Sequence, residues 1–91
     1  MRNLLKFEAD WCGPCQAIKP IVHEVMKEHE GSVVLTTVNV DDPENLSLVQ
    51  RHGVRAIPTL VLLEDDEVIA THRGALGRAE LLRFLAKETT G

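Results

Sequence analysis

Ninety-one residues, 44% hydrophobic and 26% charged, supply one modest core and read as a single domain, 1–91, that buries about 60–65% of its unfolded surface. The formal net charge is −4, with Arg51, Arg55, Arg73, Arg78 and Arg83 dispersed among acids, so no basic face invites nucleic acid or an anionic membrane. No apolar run approaches the ~18 residues of a membrane span, and Met1-Arg2-Asn3-Leu4-Leu5-Lys6 turns polar too soon for a signal peptide; the expected setting is a reducing cytoplasm.

Asn3 to Ala9 reads as a strand, with Leu5, Phe7 and Ala9 on one face and Lys6 and Glu8 on the other. From Gly13 to Glu30 the period turns helical. Ile18, Ile21, Val22, Val25 and Met26 form a stripe, Pro20 predicts a kink, and Gly31 a stop. Val33 to Val40 is rich in β-formers and predicts a second strand. Asp41-Asp42-Pro43-Glu44 opens a short helix that is expected to carry Leu46 and Val49 inward and to end at Gly53. Thr59 to Leu63 and Glu67 to His72 form a hairpin around Asp65-Asp66. A last helix, about Arg78 to Glu88, turns Leu81, Leu82 and Leu85 to the core. The order β-α-β-α-β-β-α predicts an α/β fold. Its first crossover is right-handed and parallel, and its closing hairpin is antiparallel in the same sheet.

Between the first strand and the long helix stands Trp11-Cys12-Gly13-Pro14-Cys15, which holds both cysteines of the chain. In a reducing compartment a close pair is more often redox-active or metal-binding than a staple. Cys12 falls where unpaired backbone N–H groups and the helix dipole favour negative charge, and thiolate is the nucleophile in disulfide exchange. Gly13 is expected to let the backbone turn closely, and Pro14 suits the first helical turn. Cys15, one turn deeper, is expected to be the more buried. Cys12 would attack a substrate disulfide, and Cys15 would then attack Cys12 and release the product.

Other uses of the pair weigh less. A structural disulfide closing so short a loop constrains little of the unfolded chain. A zinc site wants four ligands, and His23, His29, His52 and His72 are not spaced as the missing ones. Haem attachment needs a histidine after the second cysteine, where this chain has Gln16.

With that motif on that element order, the chain resembles the thioredoxin family over nearly its whole length. Phe7-Glu8-Ala9-Asp10 is similar to the family's lead-in strand, and Pro20 to its helix proline. Gly53-Val54-Arg55-Ala56-Ile57-Pro58-Thr59 is similar to the segment with its cis-proline, and Gly74-Ala75-Leu76 to its late glycine loop. The resemblance implies a minimal thioredoxin-like fold, a mixed four-stranded sheet flanked by helices, without the family's usual first strand and helix. It implies that Pro58 is cis, where the residues alone leave open a trans proline that begins the third strand. Ile57 would offer its backbone to a substrate peptide. Trp11, Gly13, Pro14, Ile57, Pro58, Gly74 and Ala75 would make a flat, mostly apolar docking surface around Cys12. As the one tryptophan, beside the nucleophile, Trp11 reads better as docking surface than as core.

Lys6 departs from the family. It stands where thioredoxins carry a buried aspartate held to assist proton transfer, and the family's partner lysine is here Thr37. On one reading Lys6, Glu8 and Asp10 alternate because the missing helix bares a sheet face, and Glu8 is a solvated strand residue. On the other, a cationic Lys6 near the thiols stabilises thiolate and makes the potential less reducing, and a neutral, buried Lys6 could itself accept a proton. The implied function is thiol–disulfide oxidoreduction, most simply reduction of protein disulfides by a cytoplasmic monomer. Thioredoxin reductase would be the electron donor, with no bound cofactor. A glutaredoxin-like, glutathione-dependent reductase and a non-redox binding subunit are the rivals.

Overall fold

Arg2–Glu8 forms a strand, β1, whose last five residues are all buried, and a strand buried on both faces belongs in the interior of a sheet. The computed structural model, which describes residues 1–88, places it there. After β1 come α1 (Gly13–Glu28), β2 (Val33–Asn39), a 3-10 turn (Pro43–Asn45) running into α2 (Leu46–Arg51), β3 (Thr59–Glu64), β4 (Glu67–Arg73) and α3 (Arg78–Leu85). The strand order is β2-β1-β3-β4. β1 pairs parallel with β2 and antiparallel with β3, and β3 pairs antiparallel with β4. The predicted mixed four-stranded sheet and element order are those observed.

Alternation along β1 feeds two cores. Leu4 joins Leu60 and Leu62 beneath Ile18, Val22, Val25 and Met26 of α1 and Leu81, Phe84 and Leu85 of α3. Leu5 and Phe7 face the other way, with Val38 and Val61, and are covered by Leu48 and Val49 of α2 and by Val54 and Ile57. Because helices cover both faces, the expected bared face is absent at β1. Lys6 is 1% exposed and Glu8 9%, so the solvated reading of both residues is wrong.

Two further expectations need correction. Leu46 is expected to point inward but is exposed; Leu48 packs in its place, beside Val49, which packs as expected. The tighter 3-10 turn ahead of α2 rotates the face that a continuous α-helix from Asp42 would present. On α3 the core stripe is Leu81, Phe84 and Leu85, with Leu82 half-buried at its rim; this is the i, i+3, i+4 spacing of one helix face. Pro20 lies inside α1. Its missing N–H leaves the Gln16 carbonyl without an intrahelical donor, and both residues are exposed, where water can serve.

The helices are tied down by polar contacts at their ends. Asp42 Oδ1 accepts from the Glu44 N–H at 3.0 Å and caps the turn before α2. Arg2 donates to the Leu85 carbonyl at 2.9 Å, satisfying an acceptor at the end of α3. Arg78 of α3 bridges Glu24 and Glu28 of α1 at 3.2 and 2.6 Å, an exposed contact that adds little. The β3–β4 turn is closed by Asp65, whose φ is +53° and whose N–H donates to the Met1 carbonyl.

His52, just past α2, sets its ring against Phe7 with centroids 5.9 Å apart. Burial, and then the neighbouring Arg51, hold its pKa below the usual 6.5. The unfolded chain therefore takes up this proton more readily than the folded one. The His52 contribution to stability is complete above pH 6.5 and is lost as pH falls below that toward the lower folded-state value. Urea unfolding of parent and His52→Gln at pH 8 and pH 5.5 checks this. The variant is expected to lose less stability between the two, and equal losses would refute it.

Candidate active site

The last turn of chain before α1 places the cysteines. The Cys12 N–H donates to the Ala9 carbonyl at 3.2 Å, a turn that carries the chain from β1 to the helix start. Cys12 is the N-cap of α1, with extended backbone and Pro14 in the first turn. Its sulfur accepts from the Cys15 N–H at 3.1 Å. This serves one of the donors that a helix start leaves unpaired, as a capping oxygen would. No acidic side chain lies in the first turn. Negative charge on this sulfur therefore meets an oriented N–H and the positive end of a sixteen-residue helix, unopposed there.

Cys12 and Cys15 are joined as a disulfide with Cα atoms 5.2 Å apart. Both are buried, Cys12 at 4% and Cys15 at 1% exposure, and Ala9, Val40 and Ile57 pack against them. Trp11 is 70% exposed, and its indole N–H donates to Asp41 Oδ2 at 2.7 Å. That bond spans thirty residues and has no signature in the sequence, where Asp41 looked like part of a helix cap.

The remaining predicted docking residues divide between exposed and buried positions. Gly13 and Pro14 are exposed at the helix start, Ile57 is half-buried, and Ala75 is exposed. Pro58 is buried and follows a cis peptide bond. Its carbonyl accepts from the Gly74 N–H at 2.8 Å, which brings the two loops together at the C-terminal end of β3's neighbours. Gly74 has φ +96°, a conformation that suits glycine. Gly13 does not match the expectation of a close turn. Its φ is not positive, and a Cβ there would meet nothing within 4 Å. What glycine provides at this position is a low, open surface beside Cys12.

A groove of about 350 Å³ runs alongside, lined by Trp11, Val40, Val49, Val54, Arg55, Ala56 and Ile57. Of these, the sequence marks only Trp11 and Ile57 as docking residues. Its valines come from three separate segments, and only the fold assembles them. Among the described residues no group of three or more His, Cys, Asp or Glu side chains could hold a metal ion, and no helix is long and apolar enough to cross a membrane.

A vicinal pair of cysteines at a helix start, closed as a disulfide beside an open apolar groove on a mixed α/β sheet, defines a dithiol–disulfide exchange protein. Comparison with known proteins gives the particular family. The thioredoxin family model matches residues 1–87. The chain is 44% identical over 82 residues to a thioredoxin of Haemophilus influenzae, covering 90% of this chain and 75% of that protein. It is 42% identical over 82 residues to one of Pseudomonas aeruginosa, covering 90% and 74%. A thioredoxin of Pyropia yezoensis is 37% identical over 84 residues, covering 92% and 77%. The chain belongs to the thioredoxin family. It is a thiol–disulfide oxidoreductase acting on protein disulfides, and its family works through a redox-active disulfide without a bound cofactor.

Proposed function

We propose that the chain works as a protein-disulfide reductase, a monomeric single domain of the cytoplasm, with Cys12 as nucleophile and Cys15 as resolving thiol. One observation carries the order of attack. Cys12 caps α1 and receives the Cys15 N–H on its sulfur, so charge on Cys12 is the charge the helix stabilises. In the first step the Cys12 thiolate attacks a substrate sulfur, one substrate thiolate leaves, and a mixed disulfide forms. Cys15 then attacks Cys12, and the second substrate thiol departs.

Substrate docks on Trp11, Gly13, Pro14, Ile57, Pro58, Gly74 and Ala75. Supporting this, Trp11 and Ile57 line the apolar groove, Ile57 packs against the disulfide, and the Gly74 N–H donates to the Pro58 carbonyl. A shallow apolar surface with little hydrogen-bonding of its own suits brief contact with many protein disulfides. Thioredoxin reductase is the proposed electron donor. The two cysteines of the chain both lie in the site, which fits a protein that depends on a reducing compartment.

Reduction of a protein disulfide, run in parallel with thioredoxin reductase plus NADPH and with glutathione, tests this reading. The reductase is expected to sustain turnover at least tenfold faster, a barrier difference of ~1.4 kcal/mol or more. Equal or faster turnover with glutathione would place the chain with the glutathione-dependent reductases.

A further inference from the structure

The wall of the apolar groove carries one charged side chain. Among the described residues Trp11, Ala56, Ile57 and three valines line it, and Arg55 completes it. Val40 and Ile57 belong both to this wall and to the cluster that packs on Cys12 and Cys15. A side chain that enters the groove therefore lies next to the residues that touch the reacting sulfurs.

Trp11 and Arg55 are the lining residues whose side chains hold polar atoms. The Trp11 N–H is taken, since it donates to Asp41 Oδ2 at 2.7 Å, and the same bond occupies the carboxylate at that end. Arg55 is exposed. Arg2 and Arg78 meet Glu64, Glu24 and Glu28 within ion-pair distance, whereas no carboxylate among the described residues stands so close to Arg55. Its guanidinium is a planar fork of donors that fits a carboxylate, at the edge of an apolar wall where a charge pair attracts more strongly than in open water.

We infer that Arg55 is a specificity-determining residue of the groove, which takes protein disulfides that bear a carboxylate side chain close in sequence to the reacting cysteine and an apolar neighbour to fill the valine-lined wall. This deepens the proposed function and rests on its reading of Trp11 and Ile57 as docking surface. Arg55 stands two residues before Ile57, and an extended chain advances about 3.3 Å per residue. A peptide paired along the Ile57 backbone thus brings to Arg55 a side chain about two or three residues from its cysteine.

The sign of the whole molecule sharpens the inference. The chain carries a net charge of −4, and Asp10, exposed beside Trp11, and Asp41 add negative charge at the tryptophan end. The general field therefore disfavours an acidic segment, and a carboxylate is favoured only where Arg55 reaches it. The plain structural role for Arg55 is to lay its methylenes along the apolar wall with the charge in water. Arg55→Met keeps an unbranched apolar stem and removes the charge, so it separates the two roles.

The test uses symmetrical cystine peptides of otherwise uncharged sequence, with an apolar residue beside the cysteine and a single Glu moved one position at a time along both sides. The same peptides with Gln are the reference. Trp11 is the single tryptophan and adjoins Cys12, so its fluorescence in stopped flow gives the second-order rate at which each peptide oxidises the reduced protein. Glu is expected to lead Gln by about fivefold at one position or two neighbouring ones, the scale of a charge pair at the rim of an interface. The lead should shrink below about twofold in roughly 0.5 M salt, and Glu elsewhere should be neutral or slower. Arg55→Met should abolish the lead, Arg55→Lys should keep part of it, and Arg55→Glu should turn it over in favour of a Lys peptide. Arg73→Met removes an exposed cation that pairs opposite Thr59 on β4 and does not line the groove, and it should leave the lead in place. A Glu lead that is absent, that is equal at every position, or that survives Arg55→Met overturns the inference. A peptide with Ser in place of the apolar neighbour that reacts as fast as the apolar one would instead strike the docking surface itself, and the inference with it.

Discussion

Cys15→Ser is expected to halt the reaction at a mixed disulfide between Cys12 and substrate, and Cys12→Ser to abolish reduction, a loss of ~10³-fold or more, on the scale of removing a covalent nucleophile. Both outcomes follow from the asymmetry of the helix start. The Cys12 sulfur receives the Cys15 N–H at 3.1 Å, whereas Cys15 sits inside the first turn and is packed at 1% exposure. A serine at position 12 has no accessible anion to attack sulfur. A serine at position 15 leaves the first attack intact and removes only the group that resolves it. Mass spectrometry of each variant after incubation with a protein disulfide checks the adduct and its site. Alkylation of the reduced parent at neutral pH is the complementary measurement, and labelling of Cys15 ahead of Cys12 would reverse the assignment.

How much of this was legible before the structure differs residue by residue. The dithiol was legible because its chemistry is local: five consecutive residues, Trp11 to Cys15, fix both the thiols and the helix start. The element order followed from hydrophobic period, since the stripe Ile18, Val22, Val25 and Met26 does pack on the sheet. The solvated reading of Lys6 came from alternation of polar and apolar residues, which normally marks a strand with one wet face. Whether that face is wet depends on α1 folding back over β1, which is a tertiary fact. The ion pair could have been suspected from opposite charges at i and i+2 on one strand face, a spacing that brings side chains together only where both are confined. The Trp11–Asp41 bond and the valine-lined groove join segments far apart in the chain, and no local pattern encodes them. Finding Glu8 beside Lys6 also changes the electrostatic expectation: the pair is neutral as a whole, so Lys6 does not bring an uncompensated positive charge to the thiols.

Lys6→Met alone is expected to destabilise the protein by about 3–5 kcal/mol, the usual result of removing one partner of a buried ion pair. The Glu8 carboxylate would be left at 11% exposure with no cation. A domain of this length holds about 5–14 kcal/mol in all, so the single substitution removes a large share, and Tm should fall by roughly 12 °C or more. Removing both charges should act in the opposite sense. Lys6→Met/Glu8→Leu leaves apolar side chains among Leu4, Ile18 and Leu60, and exchange of a buried pair for hydrophobic residues is commonly neutral or stabilising by about 1–4 kcal/mol. The double variant should therefore regain most or all of the parent's stability, and this non-additivity identifies the pair. Urea unfolding of the parent, Lys6→Met, Glu8→Leu and the double variant at pH 7 completes the cycle. A loss under about 1 kcal/mol for Lys6→Met would mean that Glu8 is solvated as surface carboxylates are.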